Sequence, residues 1–153
     1  MRVLVDTNLI ARLAQPAHHQ HQPALKAVET VLARNDDPCI VPQVVYEFWA
    51  VATRPAADRG LAMSVPETQG EIARVRKIFT FLRDDGAIFD EWERLVILYN
   101  VLGKNAHDAR LVAAMLRHHI THLLTFNAQD FARYRDISVL SPDTLVENPR
   151  GER

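Results

Sequence analysis

The sequence has few of the features that would place a protein in a specialised class. It contains one cysteine, Cys39, so no disulfide can form within the chain, and the neighbouring Ile40 and Val41 predict a buried thiol. No apolar run approaches the roughly 18 residues of a membrane span. Asp6 interrupts the first apolar stretch, which argues against a signal peptide. We therefore expect a soluble, cytoplasmic protein that does not contact a membrane.

The charge balance is almost neutral. Eighteen Lys and Arg residues face nineteen Asp and Glu residues, for a formal net charge of -1. A nucleic-acid partner would therefore have to be held by local positive patches. The chain has 153 residues, of which 48% are hydrophobic, enough for one core. We predict a single domain over residues 1–145 and a flexible C-terminal tail over 146–153, with a short turn at most after residue 144.

Short apolar runs alternate with helical patterns along the chain. The runs that predict buried strands are 3–5, 39–41, 87–89, 122–125 and 137–140. The patterns that predict helices are 9–13, 23–34, 42–53, 66–83, 90–102 and a helix opening at 108. This alternation predicts an α/β fold: a three-layer sandwich around a mostly parallel sheet of four to five short strands.

Asp6 directly follows the first predicted strand. Ligands of open α/β sheets bind at the carboxyl ends of the strands, so this carboxylate is a candidate site residue. The alternative is that Asp6 or Thr7 only caps the next helix.

Glu47 is the only acidic side chain in a nearly apolar helical stretch. A buried carboxylate is costly unless it is paired or bound to a metal. The alternative is that Glu47 lies on a narrow exposed stripe with Gln43 and Ala50. Asp108 begins a later amphipathic helix and lies on the side of its apolar residues, although it too could serve as a cap.

Asp130, with Asn127 nearby, follows the fourth predicted strand. In a parallel sheet these residues and the three carboxylates can converge at one edge, where they would raise each other's pKa. A divalent cation stabilises such a cluster, and oxygen ligands select Mg²⁺ or Mn²⁺ over zinc. The histidine-rich segment 18–22 has no cysteine or acidic residue, so we interpret it as a solvated loop.

Taken together, these segments resemble the PIN-domain nucleases, and most closely the VapC-type toxins of bacterial type II toxin–antitoxin modules. The resemblance covers essentially the whole chain. It rests on four segments in order: Val5-Asp6-Thr7-Asn8, Glu47 in its helix, His107-Asp108-Ala109, and Leu124 to Asn127 followed by Asp130-Phe131.

The resemblance implies that Asp6, Glu47 and Asp108 are metal ligands, direct or through water. Thr7 or Asn8 would orient Asp6 or contact the metal shell. Relatives often carry an acidic residue where this chain has Asn127, a weaker ligand, so Asp130 would supply the missing charge.

The activity implied by the resemblance is Mg²⁺-dependent hydrolysis of RNA phosphodiester bonds, with Mn²⁺ as a substitute. Asp130 or Glu47 would accept the proton of the attacking water. Four cations are candidate phosphate contacts, with ordinary surface charge as the alternative for each: Arg12, Arg54, Lys104 and Arg110.

The resemblance also implies a homodimer and a cognate antitoxin, for which apolar residues of the Glu47 helix, such as Trp49, could form an interface. Two alternatives keep the fold: a PIN nuclease of RNA processing without an antitoxin, and a non-catalytic binding module. A phosphatase-like protein using Asp6 would need a basic residue aimed at a phosphoryl group, and no spacing indicates one.

Overall fold

The computed structural model describes residues 1–147, which form an α/β structure on a five-stranded, all-parallel sheet. The strands are β1 (Arg2–Val5), β2 (Asp37–Ile40), β3 (Thr80–Phe81), β4 (His122–Leu124) and β5 (Ser138–Leu140). Their order across the sheet is β3-β2-β1-β4-β5, and every neighbouring pair is parallel. The predicted fold class is therefore confirmed.

Seven α-helices connect or follow the strands within residues 1–147. They are α1 (Thr7–Leu13), α2 (His21–Ala33), α3 (Pro42–Thr53), α4 (Val65–Ile78), α5 (Ala87–Leu98), α6 (Asn105–Arg117) and α7 (Pro142–Glu147). Two short 3₁₀ helices lie at Ala56–Asp58 and Ala128–Phe131. Given this strand order, the general right-handedness of parallel crossovers places α1 to α4 on one face of the sheet and α5 with α6 on the other, which gives three layers.

The centre of the sheet is fully buried. Val3, Leu4 and Val5 of β1 are at most 1% exposed, as expected for a parallel strand covered by helices on both faces. Cys39 of β2 is also buried, and its burial raises the pKa of the thiol to about 12. The prediction of a buried thiol is confirmed.

The carboxyl end of β1 is the topological switch point of the sheet. The chain leaves β1 toward β2, whereas β4, on the other side of β1, is reached from the far edge of the sheet. Because the connections that follow two adjacent strands leave in opposite directions, a crevice opens between the residues that directly follow those strands. Ligands of open α/β sheets bind in this crevice. Asp6 and Thr125, the residues that follow β1 and β4, lie at this crevice.

The prediction was wrong between residues 78 and 89. The helix predicted over 66–83 ends at Ile78, and the third strand is Thr80–Phe81, whereas the apolar run 87–89 is the first turn of α5. The side chain of Asp85 accepts a hydrogen bond from the backbone of Ala87 at 3.0 Å and supports this helix start. A three-residue apolar run fits a strand or a buried helical turn equally well, so its hydrophobic period could not show which of the two residues 87–89 form.

The end of α5 was also predicted too late. The helix stops at Leu98 because Asn100 takes a left-handed conformation with φ 48°, and the Val101 amide then bonds the Val96 carbonyl at 3.0 Å. Leu102, the last residue of the predicted helix 90–102, lies beyond the observed helix and is 68% exposed.

Residues 144 to 147 are helical, where a short turn at most was predicted. Pro142–Glu147 form α7, which packs against α2 and buries Leu145. The rest of the predicted tail, 148–153, lies outside the described residues. None of the helices in the described part of the chain is long and apolar enough to cross a membrane.

Candidate functional site

Asp6 is held in place by hydrogen bonds of its backbone and its carboxylate at the switch point. Its amide donates to the carbonyl of Leu124 at 3.0 Å, which ties the start of α1 to the end of β4. Its Oδ1 accepts from the Thr7 amide at 2.7 Å, and its Oδ2 accepts from the Thr125 hydroxyl at 2.8 Å. The capping and site interpretations of Asp6 are therefore compatible, because one carboxylate caps α1 and lines the crevice.

Asn8 also joins α1 to the end of β4. Its Nδ2 donates to the Thr125 hydroxyl oxygen at 3.2 Å, and its Oδ1 accepts from the Phe126 amide at 3.3 Å. The Thr125 hydroxyl therefore bonds both Asn8 and the Asp6 carboxylate. The sequence placed Thr125 inside a strand and did not identify it as a site residue. Its only sequence signal is that it is a polar residue at the end of an apolar run.

Glu47 faces Asp6 across Thr7. The Thr7 hydroxyl donates to Glu47 Oε2 at 2.7 Å, while the Thr7 amide bonds Asp6, so Thr7 orients both carboxylates. Gln43, one turn earlier in α3, donates to Glu47 Oε1 at 2.8 Å. The exposed stripe of Gln43, Glu47 and Ala50 does not exist, since Gln43 is only 7% exposed and Glu47 is half-buried.

Gln43 links the Glu47 helix to the start of α6. Its Nε2 also donates to the carbonyl of His107 at 2.7 Å, next to Asp108. Its Oε1 accepts from Arg110 at 3.1 Å, and Arg110 pairs with Asp84 at 2.9 Å. The sequence did not identify Gln43, although its spacing of one helical turn from Glu47 is a usable signal.

Asp108 lies in the first turn of α6 and is half-buried, with its carboxylate lining the same cavity as Asp6 and Glu47. Burial raises its pKa, and the neighbouring charges of Asp130 and Glu47 raise it further. Asn127 is exposed and lines this cavity, whereas Asp130 is exposed on the adjoining 3₁₀ helix and is not among the cavity-lining residues.

The buried carboxylate of Asp6 is electrostatically destabilised. Burial raises its pKa from 3.8 to about 6, against the hydrogen bonds from Thr125 and Thr7, which lower it. The charges of Glu47 and Asp108 raise it further. Three carboxylates thus share one water-accessible cavity at the cost of mutual repulsion, which a bound cation would relieve.

The cavity is an open groove of about 460 Å³ that is lined by both acidic and basic residues. Two of the four cations predicted to contact phosphate, Arg12 and Arg54, line the groove. The other two, Lys104 and Arg110, are not among its lining residues. His18 and Arg59, which the sequence did not identify, also line it. Arg59 lies in a predicted loop and carries no sequence signal, while His18 belongs to the segment interpreted as a solvated loop.

The donor set fits a hard dication in its chemistry. Asp6, Glu47, Asp108 and Asn127 offer only oxygen ligands, which suit Mg²⁺ and Mn²⁺. Within residues 1–147, no three His, Cys, Asp or Glu side chains are close enough to form a ready-made metal site. Hydrogen bonds from Thr7, Thr125 and Gln43 hold the carboxylate oxygens in their present positions and leave each of these oxygens a second lone pair that could bind a metal.

The fold is similar to that of several solved toxin–antitoxin proteins. A structure of VapBC-1 from nontypeable Haemophilus influenzae aligns with TM-score 0.70 and 15% identity, covering 94% of this chain and 99% of that one. A structure of VapBC2 from Rickettsia felis bound to a promoter DNA fragment aligns with TM-score 0.69 and 14% identity, over 92% and 98% of the two chains.

A third structure, VapC20 from Mycobacterium tuberculosis, described as a toxin that cleaves the sarcin-ricin loop, aligns with TM-score 0.64 and 16% identity. It covers 85% of this chain and 93% of that one. No curated protein sequence matches the chain significantly. The family model of the PIN domain, however, matches residues 3–137, which is most of the sequence and includes every site residue above. The chain therefore belongs to the PIN-domain family.

Proposed function

We propose that this protein is a divalent-metal-dependent endoribonuclease and the toxin of a toxin–antitoxin pair. The observation that carries the proposal is the position of three carboxylates, Asp6, Glu47 and Asp108, which come from separate parts of the chain and line one groove at the switch point. The raised pKa of Asp6 and of Asp108 supports a site that is completed by a cation.

Asp6, Glu47 and Asp108 would hold Mg²⁺, or Mn²⁺ in its place, with Asn127 as a weaker oxygen donor. A bound dication supplies a Lewis acid that lowers the pKa of a water molecule and stabilises charge on the phosphate oxygens. Thr7 and Thr125 orient the Asp6 carboxylate, and Thr7 also orients Glu47. Their hydrogen bonds keep the ligand oxygens in place before the substrate binds.

Asp130 is the better candidate for the proton acceptor. Both oxygens of Glu47 already accept hydrogen bonds, from Thr7 and Gln43. The exposed Asp130 carboxylate, in contrast, lies near enough to Asp108 to raise its pKa, and it accepts no side-chain hydrogen bond among residues 1–147. Its carboxylate would therefore take a proton from a water molecule beside Asp108.

The toxin assignment is supported by the fold of the VapBC complexes, which pair a toxin with an antitoxin. Exposed apolar side chains provide surface for a homodimer or an antitoxin. Tyr46 on α3 is 66% exposed, and Ile97 and Leu98 on α5 are 75% and 61% exposed. Trp49, which the sequence suggested for an interface, is half-buried.

Cleavage of RNA by the purified protein tests the nuclease assignment. We expect a mixed RNA substrate to be cut internally in Mg²⁺ or Mn²⁺ and to stay intact in EDTA. Zn²⁺ should not replace either ion, because the site lacks thiolate and imidazole ligands. Intact RNA under all conditions would leave a non-catalytic binding module as the alternative.

Growth of a bacterial host tests the toxin assignment separately. Induced expression should stop growth, and co-expression of a small DNA-binding protein encoded directly upstream should restore it. Cleavage without growth arrest, and without such a neighbour, would instead indicate a PIN nuclease of RNA processing.

A further inference from the structure

The groove has a basic end that the proposed catalytic residues do not use. Its acidic end is formed by Asp6, Glu47 and Asp108. Its other end is lined by three arginines and a histidine, which are Arg12, His18, Arg54 and Arg59.

Two neighbouring helices lead from the acidic end to the basic end. The hydrogen bond from Thr7 to Glu47 sets α1 and α3 in register, and both helices follow parallel strands and run in the same general direction. Arg12 follows Thr7 in α1, and Arg54 follows Glu47 at the end of α3. With a rise of 1.5 Å per residue, the Cα atoms of Arg12 and Arg54 lie roughly 8 to 10 Å further along the helices than those of Thr7 and Glu47.

Neutral partners hold Arg12 in position. Its Nε donates to Gln20 Oε1 at 3.0 Å, and its Nη1 donates to Gln15 Oε1 at 2.7 Å. Both glutamines follow Arg12 in the chain, and no carboxylate of the described residues pairs with it. The guanidinium therefore keeps its full charge while losing little freedom when it binds an anion.

His18 adds a neutral donor beside Arg12. Its Nδ1 accepts from the Gln20 amide at 3.0 Å, which leaves the proton of a neutral ring on Nε2. Partial burial and the nearby charges of Arg12 and His19 lower the pKa of His18, which favours the neutral ring.

Arg54 and Arg59 are presented by a segment that we term the arm, residues 54–63. Backbone hydrogen bonds of 2.8 to 3.0 Å fold the arm back onto the end of α3, from Leu61 to Val51 and from Met63 to Ala52. Gly60 is required there, because an added Cβ would lie 2.0 Å from the carbonyl oxygen of Arg54.

The arm arginines also keep their charge. The six salt bridges among residues 1–147 include neither Arg54 nor Arg59. Arg59 is fixed in a left-handed conformation with φ 60°, an uncommon state for an arginine that the fold of the arm imposes. Three unpaired guanidinium groups at one end of a groove form a site for anions.

We propose that the basic end binds a second phosphate of the RNA strand, next to the phosphate that is cleaved at the acidic end. The inference rests on the proposed nuclease function, and it makes the substrate an RNA strand that lies along the groove. Arg12, Arg54 and Arg59 contact the second phosphate, with His18 as a neutral donor. The site thereby sets which phosphate of the strand reaches the carboxylates.

RNA binding tests the second-phosphate site without cleavage. Anisotropy of a labelled single-stranded RNA in EDTA is compared for wild type, Arg54→Gln, Arg59→Asn and Arg59→Lys. Asparagine is chosen at 59 because it accepts a left-handed φ. Arg74→Gln is the matched control, since Arg74 is an exposed arginine on α4 that pairs with Glu71.

We expect Arg54→Gln and Arg59→Asn each to weaken binding about 3- to 10-fold, and to reduce the slope of log K against log salt concentration by about 0.7. Arg59→Lys should keep most of the affinity, and Arg74→Gln all of it. In Mg²⁺, the same two variants should raise KM and leave kcat unchanged. Equal affinity of wild type and both variants for RNA would overturn the inference.

A neutral linkage locates the second phosphate. A single uncharged methylphosphonate is placed in turn at each position of a cleavable RNA. Wild type should bind this RNA more weakly when the methylphosphonate replaces the phosphate next to the cleaved one. Arg59→Asn, which already lacks a contact to that phosphate, should lose little further affinity. RNA that is cleaved equally well by wild type and variants would contradict the second site alone. Normal RNA binding with weakened binding of a protein partner would also overturn it and assign the basic end to that partner.

Discussion

The two ends of the groove differ in how their charges are held. At the acidic end, Asp6 and Glu47 come from different helices, and each is bonded to residues distant in the sequence. At the basic end, Arg54 and Arg59 project from the arm without salt bridges among the described residues, and both are exposed. The carboxylates of the acidic end are held by side-chain hydrogen bonds between distant segments, whereas the two arm arginines of the basic end are positioned only by the backbone of the arm.

This difference separates two kinds of contribution. Partly buried, cross-linked groups hold a fixed geometry, so substitutions at the acidic end should change kcat and the stability of the fold. Exposed cations act mainly through long-range attraction that salt screens, so substitutions at the basic end should change KM and its salt dependence.

The largest effect is expected from Asp6→Asn and Asp108→Asn. Each removes a charge from the proposed metal site with almost no change in shape, and we expect cleavage to fall by about 10²- to 10³-fold, because electrostatic stabilisation of the transition state is lost. Mg²⁺-dependent RNA cleavage measures the loss. Asparagine at position 6 can still cap α1, so circular dichroism should show an intact fold. Full activity in both variants would remove the metal-site proposal.

The next largest effect is expected from Gln43→Leu, which leaves every carboxylate in place. The variant loses the bonds that join Glu47 to the His107 carbonyl, so the acidic end should loosen. We expect kcat to fall by about 10- to 100-fold and the Mg²⁺ concentration for half-maximal activity to rise, with KM for RNA unchanged. Gln69→Leu, on the exposed surface of α4, is the matched control. An unchanged Mg²⁺ requirement would mean that Gln43 does not position the site.

A stability difference is expected from the raised pKa of Asp6. In the folded, metal-free protein this pKa lies at about 6, against 3.8 ordinarily, so between these values the folded state binds more protons than the unfolded state. The stabilisation that comes from the raised pKa of Asp6 is therefore present below about pH 4 and is lost as the pH rises through 6. The shift corresponds to roughly 3 kcal/mol in the free energy of unfolding.

Thermal unfolding in EDTA between pH 4 and 8 measures this contribution as the difference between wild type and Asp6→Asn. The variant should become the more stable of the two as the pH rises. Mg²⁺ at pH 7.5 should raise the Tm of wild type and have little effect on Asp6→Asn. A difference that is constant with pH would show that Asp6 is not destabilised by its surroundings.

The smallest effect is expected from Asn127→Asp. It adds a carboxylate to the groove beside Asp108, so the Mg²⁺ concentration for half-maximal activity should fall by about a few-fold. Gln129→Glu adds the same charge on the adjoining 3₁₀ helix and should have no such effect. If both variants lowered the Mg²⁺ requirement equally, general charge and not ligation at position 127 would explain it.

The sequence predicted the central fold well because the central strands carry unambiguous signals. β1 contains the apolar run of residues 3–5, and the bounds of α3 were correct because Pro42 begins it and Arg54-Pro55 follow it. At the sheet edge, β3 has only two residues, Thr80 and Phe81, within a helical periodicity. Two residues are too few to show the period of a strand. Residues 80 and 81 form a strand because they pair with β2, which no local pattern could indicate.

The candidate site was predicted in part for a related reason. Asp6, Glu47 and Asp108 stand out because a carboxylate is unusual after an apolar strand or on an apolar helix face. Thr125 and Arg59 do not stand out, since a hydroxyl at a strand end and an arginine in a loop are both ordinary. Their roles depend on partners that are distant in the sequence or on the backbone path of the arm.

The sequence by itself determined the layered α/β class and the acidic residues worth testing, because apolar period and misplaced charge are local properties. Only the tertiary structure decided that Gln43 spans from Glu47 to α6, that Lys104 and Arg110 lie away from the groove, and that Arg59 lines it. These facts depend on the direction of side chains and on long-range hydrogen bonds, which no local pattern encodes.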